Sequence, residues 1–226
     1  MASKQPEIQK LFSKRNDVVR ILRDGDPGCM DTVVKTFAER QPFLTELRTM
    51  GTLKSSGMNV PQILISDEEE LQIVYSFIGV ETLLDLLERE SQQQFTTRLD
   101  ALCRWLLGFY TCMKEKTCES MIIGDAHLRN FVIGKDDDAI YGVDFEECRP
   151  GEPETDIARL CVFLTTYSPA YTDAKKRLAR HVIQNMEALM PIDHKLLRSE
   201  MLRELNELAE RRNCEIYPDV IEEILR

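Results

Sequence analysis

The hydrophobic pattern of this chain changes period once, between Ser76 and Gly79. Before that point the apolar residues come in short β-branched runs, at 18–22, 32–37, 60–65 and 71–75. Runs of that length and composition predict strands. The turn signal Asp24-Gly25-Asp26-Pro27-Gly28 joins the first two into an antiparallel hairpin. Alternation then puts Val33, Lys35 and Phe37 on one face and Val34 on the other. One helix interrupts the series, Pro42 to Leu53, where Phe43, Leu47, Met50 and Leu53 fall at helical spacing and Gly57 supplies the stop. After the change the spacing is helical. Helices are predicted over 81–89, 95–113, 154–166, 172–189 and 193–211, with a last turn or helix from Pro218. Only the short apolar stretches at 121–123, 131–133 and 140–143 break the run, and the first two bracket a polar loop. Strands with one helix, a connector, then mostly helix predicts an α+β fold of two lobes with a cleft at the connector.

Composition narrows the function classes. The 226 residues carry 29 Lys+Arg against 39 Asp+Glu, a formal net charge of −10, which argues against a general nucleic-acid binder. A hydrophobic content of 43% excludes a disordered chain. No apolar run approaches the roughly 20 residues of a membrane span, and the opening Met-Ala-Ser-Lys-Gln-Pro-Glu has no apolar signal stretch. The seven cysteines show no C-x-x-C spacing, and the three histidines stand at no ligand-like distance from them. The simplest reading is reduced thiols in a cytoplasmic protein without a zinc site. The acid is uneven. Between Asp125 and Asp156 there are 10 acids and 3 bases.

That acidic stretch holds the informative motif. Gly124-Asp125-Ala126-His127-Leu128-Arg129-Asn130 forms a polar loop between apolar stretches, and Asp144-Phe145-Glu146 closes the next one. Phosphoryl transfer needs few parts: an acid to orient the attacking hydroxyl, oxygen ligands for Mg²⁺, and a cation on the phosphates. Asp125, Asn130 and Asp144 can supply the oxygens, and Lys35 on an N-terminal strand can supply the cation.

At these residues the chain resembles the protein-kinase-like superfamily, and within it the aminoglycoside phosphotransferase and choline kinase branch. The Gly-Asp-x-His-x-x-Asn form and the Asp-Phe-Glu form are both similar to that branch. Glu46 in a helix that runs on to Val60-Pro61, Glu81-Thr82-Leu83 past the connector and Asp156-Ile157-Ala158 agree in order. The resemblance covers roughly residues 10 to 165. It implies a kinase-like fold with a trimmed nucleotide-binding lobe at 1–76 and a catalytic and acceptor-binding lobe at 77–226. It implies that Asp125 orients the acceptor hydroxyl and takes its proton, and that Asn130 and Asp144 hold Mg²⁺. Lys35 would meet the nucleotide phosphates, positioned by Glu46. Ser76 and Phe77 would lie at the hinge that meets the base. His127 would support the loop, and Asp156 would hold its backbone.

The chain departs from that pattern in three places. Ile123 stands where the family often has His, the Lys35–Glu46 interval is short, and no glycine-rich loop precedes Val18. Lys14 and Arg15 are the candidate phosphate contacts in its place. Glu146 reads equally as a second-metal or substrate contact and as polar loop. Asp136-Asp137-Asp138 reads as a solvated hairpin turn. Cys148 reads as an unreactive thiol, raised by Glu146 and Glu147. The function expected is transfer of the γ-phosphate of ATP or GTP to a hydroxyl of a small polar acceptor. The acidity around the site is compatible with a cationic one, such as an amino sugar or amino alcohol. Two alternatives stay open, a kinase-like module that binds nucleotide or a partner without transfer, and a compact atypical protein kinase. Only 12 positions separate Asp144 from Asp156, too few for the usual protein-substrate platform.

Overall fold

The computed structural model describes residues 7–11, 13, 15–22, 30–212 and 217–225. Lys14, Cys29, Cys214 and the 24–28 turn lie outside them. Five strands form the N-terminal sheet: β1 (Glu7–Lys10), β2 (Asp17–Leu22), β3 (Thr32–Thr36), β4 (Ile63–Asp67) and β5 (Gln72–Ser76). The order is β1-β2-β3-β5-β4, antiparallel throughout. Lys35 pairs in register with Val18 on one side and Ile73 on the other, so it sits at the centre of the sheet.

Helix α1 (Arg40–Ser55) packs on the face of β3 that carries Lys35 and Phe37. It buries Phe43, Glu46, Thr49, Met50 and Leu53, which share one helical face. Phe37 and Phe43 meet edge to face at 5.6 Å. The helix stops where Gly57 takes φ 77°, with its N–H on Lys54 O and that of Met58 on Leu53 O.

The rest is mainly helical. α2 (Leu83–Arg89) and α3 (Gln92–Thr117) both start on capping boxes, Thr82 with Asp85 and Ser91 with Gln94. Then come β6 (Met121–Ile122), a 3₁₀ turn at Leu128–Asn130, β7 (Phe131–Ile133), β8 (Ile140–Gly142) and β9 (Arg149–Pro150). β6 pairs with β9, and β7 with β8. Helices α4 (Pro153–Thr166), α5 (Asp173–Leu189), α6 (His194–Arg212) and α7 (Asp219–Leu225) complete the body, with α3 and α4 both packed on α5 and α4 also on α6. No described helix is long and apolar enough to cross a membrane.

An aromatic cluster lies under the loops that carry Asn130 and Asp144. Trp105 on α3 touches Phe131 of β7 at 5.4 Å between ring centroids, and Phe145 stacks on Phe109 at 6.2 Å. The Asn59 carbonyl accepts from both the Trp105 indole and the Gly142 N–H, at 3.1 Å each. Gly142 is needed there, because a Cβ would lie 2.4 Å from the Trp105 ring.

Several boundaries differ from expectation, most by one to four residues, as where the helices expected over 42–53 and 95–113 run over Arg40–Ser55 and Gln92–Thr117. The strand expected over 60–65 begins at Ile63, because Pro61 has no N–H for a ladder and Val60 is bonded back to Met58. The helix expected from Glu81 begins at Leu83, since Thr82 is its cap. β1 was not expected at all: its four residues are exposed and carry no apolar alternation.

Candidate active site

Lys35 gathers the first half of the site. Its ammonium lies 2.6 Å from Glu46 on α1, 2.7 Å from Asp144 after β8 and 2.9 Å from Glu146 two residues on. Burial disfavours that charge, but the three carboxylates outweigh it and raise the ammonium above its usual range. Burial also pushes the Glu46 carboxyl up, opposed by the Lys35 ammonium and by hydrogen bonds from Lys35 and Tyr75. The Tyr75 hydroxyl donates to Glu46 at 2.6 Å. Three carboxylates thus share one cation, and their oxygens lie within 4.8 Å of one another. That excess of negative oxygen suits a hard divalent cation. Asp144 itself takes φ 65°, a left-handed conformation held by Phe145 packing below and by the Val143 N–H on Asn130 O at 2.9 Å.

The second half rests on Asp156, near the start of α4 and 1% exposed. It accepts from the backbone N–H of Ile123 at 2.8 Å and of Gly124 at 3.0 Å, and from the Tyr110 hydroxyl at 3.4 Å. Burial lifts its carboxyl to about 6, against the pull of those donors. Gly124 takes φ +86°, and a Cβ there would meet the Glu147 carbonyl at 2.4 Å. The loop so held presents Asp125. Burial works against its ionisation, but His127, Arg159 and the Asn130 amide together hold the carboxyl at about 2. His127 Nε2 and Arg159 Nη1 each stand 3.3 Å from it. The Asn130 amide nitrogen donates to the Asp125 carbonyl at 2.9 Å, so its side-chain oxygen is the atom that could face a cation. His127 stacks on Phe163 at 5.3 Å, and its buried Nδ1 has no hydrogen-bond partner.

Both halves line one cleft of about 1060 Å³ between the sheet and the helical body. Ser76 and Phe77 lie at its edge. Their N–H groups are already donated, to Gln62 O at 2.9 Å and Asp31 O at 3.1 Å. Of the two residues' expected base contacts, N–H donation therefore falls away. The turn that stands where a glycine loop was sought reaches across instead. Arg15 pairs with Glu147 at 2.9 Å, and the Asn16 amide donates to Glu146.

Comparison with solved structures agrees. An amicoumacin kinase in complex with AMP-PNP, Ca²⁺ and Ami superposes with a TM-score of 0.60 at 13% identity, over 96% of this chain and 87% of that one. A type VIII aminoglycoside-3'-phosphotransferase gives 0.62 at 10% identity, over 96% and 93%. A Plasmodium vivax ethanolamine kinase gives 0.58 at 10% identity, over 98% and 81%. The chain has the protein-kinase-like fold. No family model matches it, and no curated protein sequence does.

Within this kinase-like frame several contributors escaped the sequence. Tyr75, Tyr110, Asn16 and Glu204 carry no motif. Arg159 had a readable signal, since three positions after Asp156 puts it on the same face of α4. The acidity, too, is distributed by the fold. Most acids between Asp125 and Asp156 have a partner in the fold, although Asp144 and Glu146 share the Lys35 ammonium with Glu46 and stay in excess there. Asp144 and Glu146 are on Lys35, Asp125 and Glu147 on Arg159, Glu147 also on Arg15, and Asp138 on Arg98. Asp137 accepts from Tyr141, and Glu154 from the Asp193 N–H. The acid count by itself therefore does not decide the charge of the acceptor. Asp136-Asp137-Asp138 is the exposed turn expected. Cys148 is raised to about 11, but by burial first rather than by its neighbouring glutamates.

Proposed function

We propose that this chain is a nucleotide-dependent phosphotransferase that moves the γ-phosphate of ATP or GTP to a hydroxyl of a small polar acceptor. The observation that carries the reading is the pair of charge clusters facing one cleft: Lys35 on Glu46, Asp144 and Glu146, and Asp125 held ionised beside Arg159.

Lys35 binds the nucleotide phosphates, with Glu46 and Tyr75 fixing where its ammonium points. Asp144 and Asn130 hold Mg²⁺, with Glu146 beside them, and the ion supplies charge neutralisation on the phosphates. Asp125 accepts a hydrogen bond from the acceptor hydroxyl, aims its oxygen, and takes its proton as the new P–O bond forms and the bond from the γ-phosphorus to the β–γ bridging oxygen breaks, releasing the nucleoside diphosphate. A carboxylate with so low a proton affinity does this late, as the hydroxyl becomes acidic. Asp156 keeps the Asp125 loop rigid through the Ile123 and Gly124 N–H groups. The base meets the connector at Ile78, the first position past Phe77. Arg15 and Asn16 take the part of the missing glycine loop with side chains, and Lys14 is a further candidate there. Reduced thiols support a cytoplasmic setting.

The test is Mg·ATP and Mg·GTP binding and turnover over a panel of small hydroxyl compounds. We expect Asp144→Ala to abolish Mg²⁺-dependent nucleotide binding and all transfer. Wild-type binding and turnover in that variant would contradict the assignment. Nucleotide stabilisation without transfer to any acceptor would favour a binding module instead. Autophosphorylation abolished by Asp125→Asn would favour a compact protein kinase.

A further inference from the structure

The wall of the cleft beyond Asp125 is built from arginine. Arg129, Arg159 and Arg211 line it, together with His127, Phe163 and Leu208. Its carboxylates are spent. Glu204 is 8% exposed and accepts from Arg159 Nε at 3.2 Å and Arg211 Nη2 at 2.8 Å. Glu147 faces Arg15 at 2.9 Å and Arg159 at 3.7 Å. Arg159 is committed to Glu204, the Gly124 carbonyl, Asp125 and Glu147, but Arg211 and Arg129 reach the solvent side of the wall. Arg211 is half exposed and gives one nitrogen to Glu204, which leaves further N–H donors of its fork. Arg129 is exposed, with its guanidinium 6.0 Å from the Tyr167 ring centre.

We propose that this wall selects a small hydroxyl compound carrying an anionic group, a carboxylate or a phosphate monoester. The inference rests on the phosphotransfer reading of the same cleft and names the acceptor class within it. The hydroxyl end meets Asp125. The carbon skeleton lies on Phe163 and Leu208. The anionic end meets Arg211 and Arg129, where planar forks match a carboxylate or phosphate in paired hydrogen bonds. A cationic acceptor faces the opposite arrangement. It would have to strip a guanidinium from Glu204 or Glu147 and then sit beside the arginine it displaced, which is a repulsive choice.

The experiment uses the whole chain with Mg·ATP and two acceptor series that differ in one group. One series is an amino sugar, a neutral hexose, a uronate and a hexose phosphate. The other is aminopropanediol, glycerol, glycerate and glycerol 3-phosphate. The account expects transfer to the anionic members, with the uronate and phosphate arms telling carboxylate from phosphate. In Arg211→Gln the acceptor KM should rise about tenfold or more, the loss expected for a charge-assisted contact. The nucleotide KM should stay at its wild-type value, and Arg211→Lys should recover part of the acceptor affinity. Transfer that prefers amino or neutral members overturns the inference and leaves phosphotransfer standing. So does an anionic acceptor whose KM ignores Arg211→Gln. If nothing is transferred, thermal shift decides. Stabilisation by the anionic members that is lost in Arg211→Gln supports the anion site while phosphotransfer fails. No such stabilisation overturns the anion site.

Discussion

The Lys35 ammonium and the Asp144 carboxylate meet at 2.7 Å across a sequence separation of 109 residues. One belongs to the middle of the sheet and the other to a loop pinned under α3 by Phe145. Their contact ties the N-terminal sheet to the helical body at the place where phosphates are proposed to lie. Lys35 is 6% exposed and Glu46 is 2% exposed, so the ion cluster is buried on the Glu46 side and most open at Asp144.

Removing the cation should therefore be costly. In Lys35→Met, three carboxylates are left facing one another without a partner. Breaking a buried pair from one side costs about 3–5 kcal/mol. We expect urea unfolding to register a loss of that order, and added Mg²⁺ to return part of it by taking the place of the ammonium. A variant as stable as the parent and indifferent to Mg²⁺ would show that the cluster is not held by charge.

Asp156 gives a pH signature. Its carboxyl is raised to about 6 in the fold, against 3.8 for the free group. The folded chain thus holds this proton more tightly than the unfolded one. The stabilisation is full below about pH 4 and is lost as pH rises through 6. At about 1.4 kcal/mol per unit, the group shifts stability by roughly 3 kcal/mol over that window. Unfolding free energies of the parent minus those of Asp156→Asn should fall by about that amount from pH 4 to pH 7. A pH-independent difference would refute the burial argument.

Gly142→Ala tests the packing under the site. The added methyl meets the Trp105 ring at 2.4 Å, and that ring is wedged between Phe131 and Phe145. Overpacking of this kind costs about 1–3 kcal/mol. The loss should appear both as a lower Tm and as weaker nucleotide binding, because Phe145 carries Asp144. A fall in Tm with unchanged binding would uncouple the aromatic cluster from the site.

The turn at Arg15 and Asn16 predicts a functional effect without a structural one. The Arg15–Glu147 pair is exposed, and such pairs contribute about 0–1 kcal/mol. Arg15→Ala should leave the unfolding midpoint near that of the parent while raising the nucleotide KM severalfold. Unchanged KM would mean that the turn covers the phosphates without the Arg15 side chain.

The sequence made the fold legible where burial leaves a period. The β3 alternation placed Lys35 beside Phe37, and the helical face of α1 carried Glu46 among Phe43, Met50 and Leu53. The motif residues Asp125, Asn130 and Asp144, read from two loops, line one cleft, and Asp156 sits buried in α4 behind the first of them. What stayed hidden has a common cause. Exposed β1 buries nothing on either face, so no pattern marks it. Tyr75, Tyr110 and Glu204 act through contacts made only after distant elements pack, and local spacing carries no trace of that. The meaning of the acid excess stayed hidden for the same reason, because composition counts Glu147 and Glu146 but not the Arg15, Arg159 and Lys35 groups that fold onto them.

The central claim is that this cleft transfers phosphate with Asp125 as the residue that meets the hydroxyl. Asp125→Asn, assayed for Mg·ATP affinity and for single-turnover transfer in the same preparation, tests it most directly. The account predicts nucleotide affinity within about twofold of the parent and transfer reduced by about a hundredfold or more, the scale of a lost general base. Transfer at the parental rate would contradict it.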